Sequence, residues 1–152
     1  MKQRLSWFIL LGVLLVGAAP IHASSIPSIQ GSVAGIELCD QAMCGSAIFV
    51  SIFNGQIGNA RTIGTLTLSV NHPPLPGPDD PPIPIVGVWL LQPLFGHSLS
   101  GSLAGTLDNN GDGTYHVVGL MQLASPGVGT AHFDGTLSHN TYPPTIGGHI
   151  FQ

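Results

Sequence analysis

A chain of 152 residues with 43% hydrophobic and only 7% charged side chains has enough apolar content to bury a core and too little charge to stay disordered. Its formal net charge is −4, from seven acids against three basic residues. Lys2 and Arg4 sit at the N-terminus, so Arg61 is the one Lys or Arg in the rest of the chain; this excludes nucleic acid as a partner, because displacing phosphate counterions takes several cations.

The N-terminal segment reads as a secretory signal peptide. Lys2 and Arg4 precede an apolar run over 7–19, and Ile21-His22-Ala23 forms a small-residue exit with cleavage expected after Ala23. A membrane anchor needs about 20 continuous apolar residues, and here Pro20 and His22 interrupt the run. No Cys lies near the exit to carry a lipid, and the C-terminal Gly148-His149-Ile150-Phe151-Gln152 is too short and polar to anchor the chain. The expectation is signal peptide 1–23 and one domain, 24–152, secreted or periplasmic, with no transmembrane segment after cleavage.

In an oxidising compartment the two cysteines, Cys39 and Cys44, are expected to form a disulfide that pins a local turn. A redox pair normally has two residues between its cysteines, and here there are four.

From 24 onward the chain is a series of short β-type segments separated by turn residues, with no long helical pattern. A strand is predicted over 32–38, closed by the disulfide loop. The next, over 47–53, stops at Asn54-Gly55, a strong hairpin signal. Over 62–70, Leu66, Leu68 and Val70 alternate with Thr65, Thr67 and Ser69, which predicts one buried and one wet face. The segment 72–84 holds seven prolines around Asp79-Asp80; prolines at that density cannot donate ladder hydrogen bonds, so this is a stiff surface loop. The nearly continuous apolar run 85–91 predicts a central strand covered on both faces.

Within that run, Gly87-Val88-Trp89 is similar to the Gly-x-Trp that opens lipocalin-type barrels. Here it stands with only about sixty residues to follow, so the resemblance is not accepted and Trp89 is read as a core anchor. The segment 98–123 reads as a hairpin turning through 108–113. Leu99, Gly101, Leu103, Gly105 and Leu107 share one face of its first strand, and Tyr115, Val117, Gly119, Met121 and Leu123 share one face of the second. Placing Leu107 opposite Tyr115 sets Gly105 against Val117 and Gly101 against Met121, so that small side chains meet large ones. Final strands over 130–138 and 146–151 complete an all-β, antiparallel sandwich or small barrel of about 6–8 strands. A membrane β-barrel has alternating strands too, but one Trp and two Tyr after the leader are too few for two aromatic girdles.

Asp108-Asn109-Asn110-Gly111-Asp112-Gly113 matches the first six positions of a calcium loop, making Asp108, Asn110 and Asp112 weak calcium candidates. Position twelve is Gly119 where a bidentate Glu belongs, and the same residues serve a metal-free hairpin turn. No other cofactor is implied. Six histidines follow the leader: His72, His97, His116, His132, His139 and His149. On 130–138, His132 and Asp134 fall on the polar face while Ala131, Phe133 and Leu137 point inward. A close hairpin would set His116 near Ser138, far from His132. No Gly-x-Ser-x-Gly elbow is present. The function these residues support is an exported, non-enzymatic binding or structural module, with a protein or small-molecule ligand that the sequence does not name. Two alternatives stand beside it: a small extracellular hydrolase using a His/Asp pair, and a β-barrel carrier of a small apolar ligand.

Overall fold

Alternation of apolar and polar side chains runs through eight strands in a computed structural model that describes residues 27–125 and 129–152; the expected leader, 1–23, lies outside the described residues. The strands are β1 (Ile29–Cys39), β2 (Ala47–Ile57), β3 (Ala60–Asn71), β4 (Ile83–Pro93), β5 (Leu99–Asn109), β6 (Thr114–Ser125), β7 (Gly129–Ser138) and β8 (Thr145–Phe151), with one short helix, α1 (Gln41–Cys44), after β1. Each strand pairs antiparallel with the next, and β8 pairs with β1 from Gly31↔Ile150 to Ile36↔Thr145, closing an eight-stranded barrel. Of the two architectures expected, the barrel is the one formed.

Closure decides what is buried. A single curved sheet has one inner face, and the core is what points into it: Phe53, Leu66, Leu91, Met121, Phe133 and Ile150 are almost fully enclosed there. Trp89 is 3% exposed, and its indole Nε1 donates to Ser102 O at 3.1 Å, so its one polar atom is satisfied. A membrane-spanning barrel carries its apolar side chains outward around a polar lumen; this interior is apolar.

Three expectations are corrected. First, β4 is not covered on both faces: Ile85, Trp89 and Leu91 point in, while Val86 and Val88 are 57% and 59% exposed on the outer wall, because no second layer packs there. Second, β2 does not turn at Asn54-Gly55. It continues to Ile57, and the turn is Gly58-Asn59, with Ile57 opposite Ala60 and Gly58 at φ 61°, as a glycine-first hairpin requires. Gly55 serves packing instead. A Cβ there would lie 2.6 Å from Gly31 Cα and 2.8 Å from the Phe53 ring, so the two facing glycines make the floor on which that ring lies.

Third, the hairpin β5–β6 is shifted by two residues. Asp108 and Asn109 stay in the ladder, opposite His116 and Tyr115, which sets Leu107 against Val117, Gly105 against Gly119 and Gly101 against Leu123. The turn centres on Asp112, whose carboxylate accepts from Thr114 N at 2.9 Å, with Gly111 and Gly113 both at φ 82°. The faces are as expected, but space is filled diagonally. Leu103 Cδ1 lies where a Cβ on Gly119 would come within 2.6 Å, and Gly105 faces glycine.

Candidate functional site

Side chains do not fill the barrel completely. An eight-stranded barrel is the size at which the interior either packs solid or keeps room for one small molecule. At the end where β1, β3, β5 and β7 finish, a cavity of about 410 Å³ opens. Phe133 lies on its floor, and Phe49, Leu68, Val70, Leu103 and Val117 line its walls.

Two short structures build the rim. Helix α1 is capped by Asp40, whose Oδ1 accepts from Met43 N at 2.9 Å, and ends at Gly45, φ 75°. The Cys39–Cys44 disulfide brackets it, so the expected disulfide is present and holds the turn at the cavity's edge. The second structure is the proline-rich loop between β3 and β4. Pro73, Pro74 and Leu75 line the cavity, Leu75 packs against the core, and Asn109 Nδ2 on β5 donates to Pro76 O at 2.7 Å. The expected surface loop thus leans over the opening. Polyproline stiffness suits it to hold that position without ladder hydrogen bonds of its own.

Polar groups sit at this rim. Glu37 points inward from β1 in phase with Val33, is only 8% exposed, and lines the cavity. Among the described residues nothing hydrogen-bonds its carboxylate. Burial, reinforced by the negative charge of Asp40, raises its pKa above the ordinary 4.5, against a smaller lowering by His72. His72 Nδ1 lies 2.6 Å from Pro73 O, which, a carbonyl being only an acceptor, places a proton on Nδ1. His139 also lines the cavity and packs edge-on to Tyr115 at 5.5 Å. Burial, then His72, lowers its pKa. The charge distribution is one-sided: Glu37, Asp40, Asp79, Asp80, Asp108 and Asp112 belong to the strand ends, helix and loops of this end, while Arg61 stands at the start of β3, at the opposite end.

Of the calcium candidates, Asn110 and Asp112 belong to the turn and Asp108 to the strand before it. Asp112 Oδ1 also accepts from Thr114 Oγ1, Asn110 Nδ2 donates to Thr114 Oγ1 at 2.8 Å, and Asp108 stands on the outer face of β5 opposite His116. Among the described residues no group of three or more His, Cys, Asp or Glu is placed to hold a metal ion. The expected position of His116 near Ser138 is corrected: it lies opposite Thr136, which brings its Nε2 to 2.9 Å from Asp134 Oδ1. This His/Asp pair is 47% and 53% exposed on the convex outer wall. His132 is four residues along the ladder, opposite Leu120, stacked on Phe151. The residue missed at the sequence level is Glu37. Its signal was present, since alternation from Val33 through Gly35 assigns it to the core face.

Among the described residues no helix is long and apolar enough to cross a membrane. Comparison of the chain with protein-family models, with curated proteins and with solved structures returned no match.

Proposed function

We propose that this chain is an exported β-barrel carrier that holds one small, mainly apolar molecule in the cavity at one end of its interior. The observation that carries the reading is the cavity of about 410 Å³, walled by aliphatic and aromatic side chains with polar groups confined to its rim. Small-molecule sites have this composition: an apolar body with a few polar groups that fix orientation. A bound molecule would gain from every apolar contact in place of water, at about 25 cal/mol per Å² removed from solvent. The disulfide and the leader-like N-terminus support an extracellular setting. The hydrolase alternative has less support: the His116–Asp134 pair lies on a convex surface, and at the cavity, where His72 and His139 stand near Glu37 and Asp40, no hydrogen bond among the described residues joins either histidine to a carboxylate.

The test is a fluorescence titration of the mature protein with N-phenyl-1-naphthylamine, a neutral dye that is dark in water and bright in apolar surroundings. Saturable brightening at one site per chain is expected, and it should be lost in Val70→Phe, which fills the cavity from its wall, provided that variant melts at or above the wild-type temperature. Failure of the dye and of a panel of similarly sized neutral aromatics to bind would overturn the reading.

A further inference from the structure

The rim asks for a particular ligand charge. Glu37 is 8% exposed, aimed into the cavity, and without a hydrogen-bond partner among the described residues. Its carboxylate oxygens face the open cavity rather than packed protein, so a donor that enters there can reach them, and partial burial makes their charge more costly than in water. Among the described residues no Lys or Arg is nearby to do so, since Arg61 is at the other end of the barrel, and burial disfavours the charged form of the neighbouring His139. Six of the seven acids stand at the same end. Acids arranged around a low-dielectric opening focus a negative potential that draws cations in and turns anions away.

Resting on the carrier reading above, we propose that the molecule held in the cup is a hydrophobic amine, its apolar body against Phe49, Leu68 and Phe133 and its ammonium group at the rim donating to the carboxylate of Glu37. The amine supplies the missing donor, and Asp40 at the N-cap of α1 adds attraction at longer range. Each feature of the rim then has a part. Leu75 and the prolines cover the apolar body, and Glu37 sets the depth to which the charged head enters.

Three probes of one shape separate this inference from the reading beneath it: 2-(aminomethyl)naphthalene, the neutral 2-ethylnaphthalene and the anionic 2-naphthoate. Dissociation constants are measured at pH 7.5 and low salt by quenching of Trp89 fluorescence. The amine should bind at least tenfold more tightly than the neutral probe, and the naphthoate more weakly than both. Glu37→Gln should abolish the preference for the amine while leaving the neutral probe's affinity within about twofold, and Asp40→Asn, which keeps a capping oxygen, should reduce the preference in part. Equal binding of amine and neutral probe by the wild type, tightest binding of the naphthoate, or a preference that survives in Glu37→Gln would each overturn the amine assignment while the carrier reading stands. Binding of none of the three would overturn both.

Discussion

Gln41 and His72 exchange two hydrogen bonds: Gln41 Nε2 donates to His72 O at 3.0 Å, and His72 N donates to Gln41 Oε1 at 2.9 Å. One side-chain amide thus acts as if it were a strand partner for the first residue of the proline-rich loop. It joins the two parts of the rim, α1 and the loop, which are otherwise tied to different strands. Pro73 and Pro74 have no N–H to donate, so the pairing at His72 is the loop's last regular anchor before it leans over the cavity.

Replacing Gln41 with Ala should therefore loosen the rim more than it destabilises the barrel. A loss of about 1–2 kcal/mol is expected for two partly buried hydrogen bonds, together with faster hydrogen exchange at the His72 amide and faster release of a probe from the cup. Thermal melting and amide exchange measured on the same sample check this. Unchanged exchange at His72 would mean that the loop is held by Asn109 and Leu75 alone.

Glu37 makes a pH signature. Its pKa is raised in the folded state, chiefly by burial, so the native protein binds a proton more tightly than the unfolded chain does. The stabilisation is complete below the ordinary value of 4.5 and is lost as pH rises through the raised folded value. His139 acts in the opposite direction. Its lowered pKa makes the fold lose stability as pH falls below the ordinary 6.5. The difference between wild type and Glu37→Gln isolates the first effect. The two stabilities should run parallel below pH 4, and the variant should gain on the wild type above it, levelling once Glu37 is ionised. A constant difference between pH 4 and 8 would show that the carboxylate is solvated.

Alternation at every second residue was enough to place the inward faces of β3, β5, β6 and β7, because Leu66-Leu68-Val70 or Ala131-Phe133-Leu137 can satisfy only one side of a sheet. Register was less legible. It depends on which residues of 108–113 leave the ladder, and that was decided by the carboxylate of Asp112 and by two glycines with positive φ. The aliphatic outer face of β4 misled for a related reason: Val86 and Val88 favour a strand whether or not anything covers them. Glu37 was readable by phase alone, but its place at the cavity followed only from barrel closure, which no local pattern encodes. His72 and His139, far apart in the sequence, both line the rim for the same reason.

The turn between β5 and β6 gives a prediction about calcium. Asp112 is held below the ordinary carboxylate value of 3.8 by its bonds to Thr114, so it already spends its charge on the turn. Asp112→Asn should lower the melting temperature at neutral pH, and that deficit should shrink as pH falls through the carboxylate range, where wild-type Asp112 protonates and its contribution is lost. Calcium at several millimolar should leave the wild-type melting temperature unchanged. A rise that is absent in Asp112→Asn would instead establish the loop as a cation site.

Ser51 carries the last prediction. It points inward from β2, 2% exposed, opposite Gly35, and its hydroxyl has no hydrogen-bond partner among the described residues. A Cβ on Gly35 would collide with that hydroxyl, so the pair is matched in volume but leaves a polar atom stranded in an apolar interior. Burying a hydroxyl without a partner costs about 1–3 kcal/mol on mutational scales, and removing it leaves a gap of one small atom. Ser51→Ala should therefore be neutral or stabilising by up to about 1 kcal/mol, against the usual trend for core substitutions. Ser51→Val should destabilise, because Gly35 leaves no room for a second branch. Chemical denaturation of the three proteins checks the order. A marked loss in Ser51→Ala would show that the hydroxyl has a partner in solution, with an ordered water beside Ser51 as the first place to look.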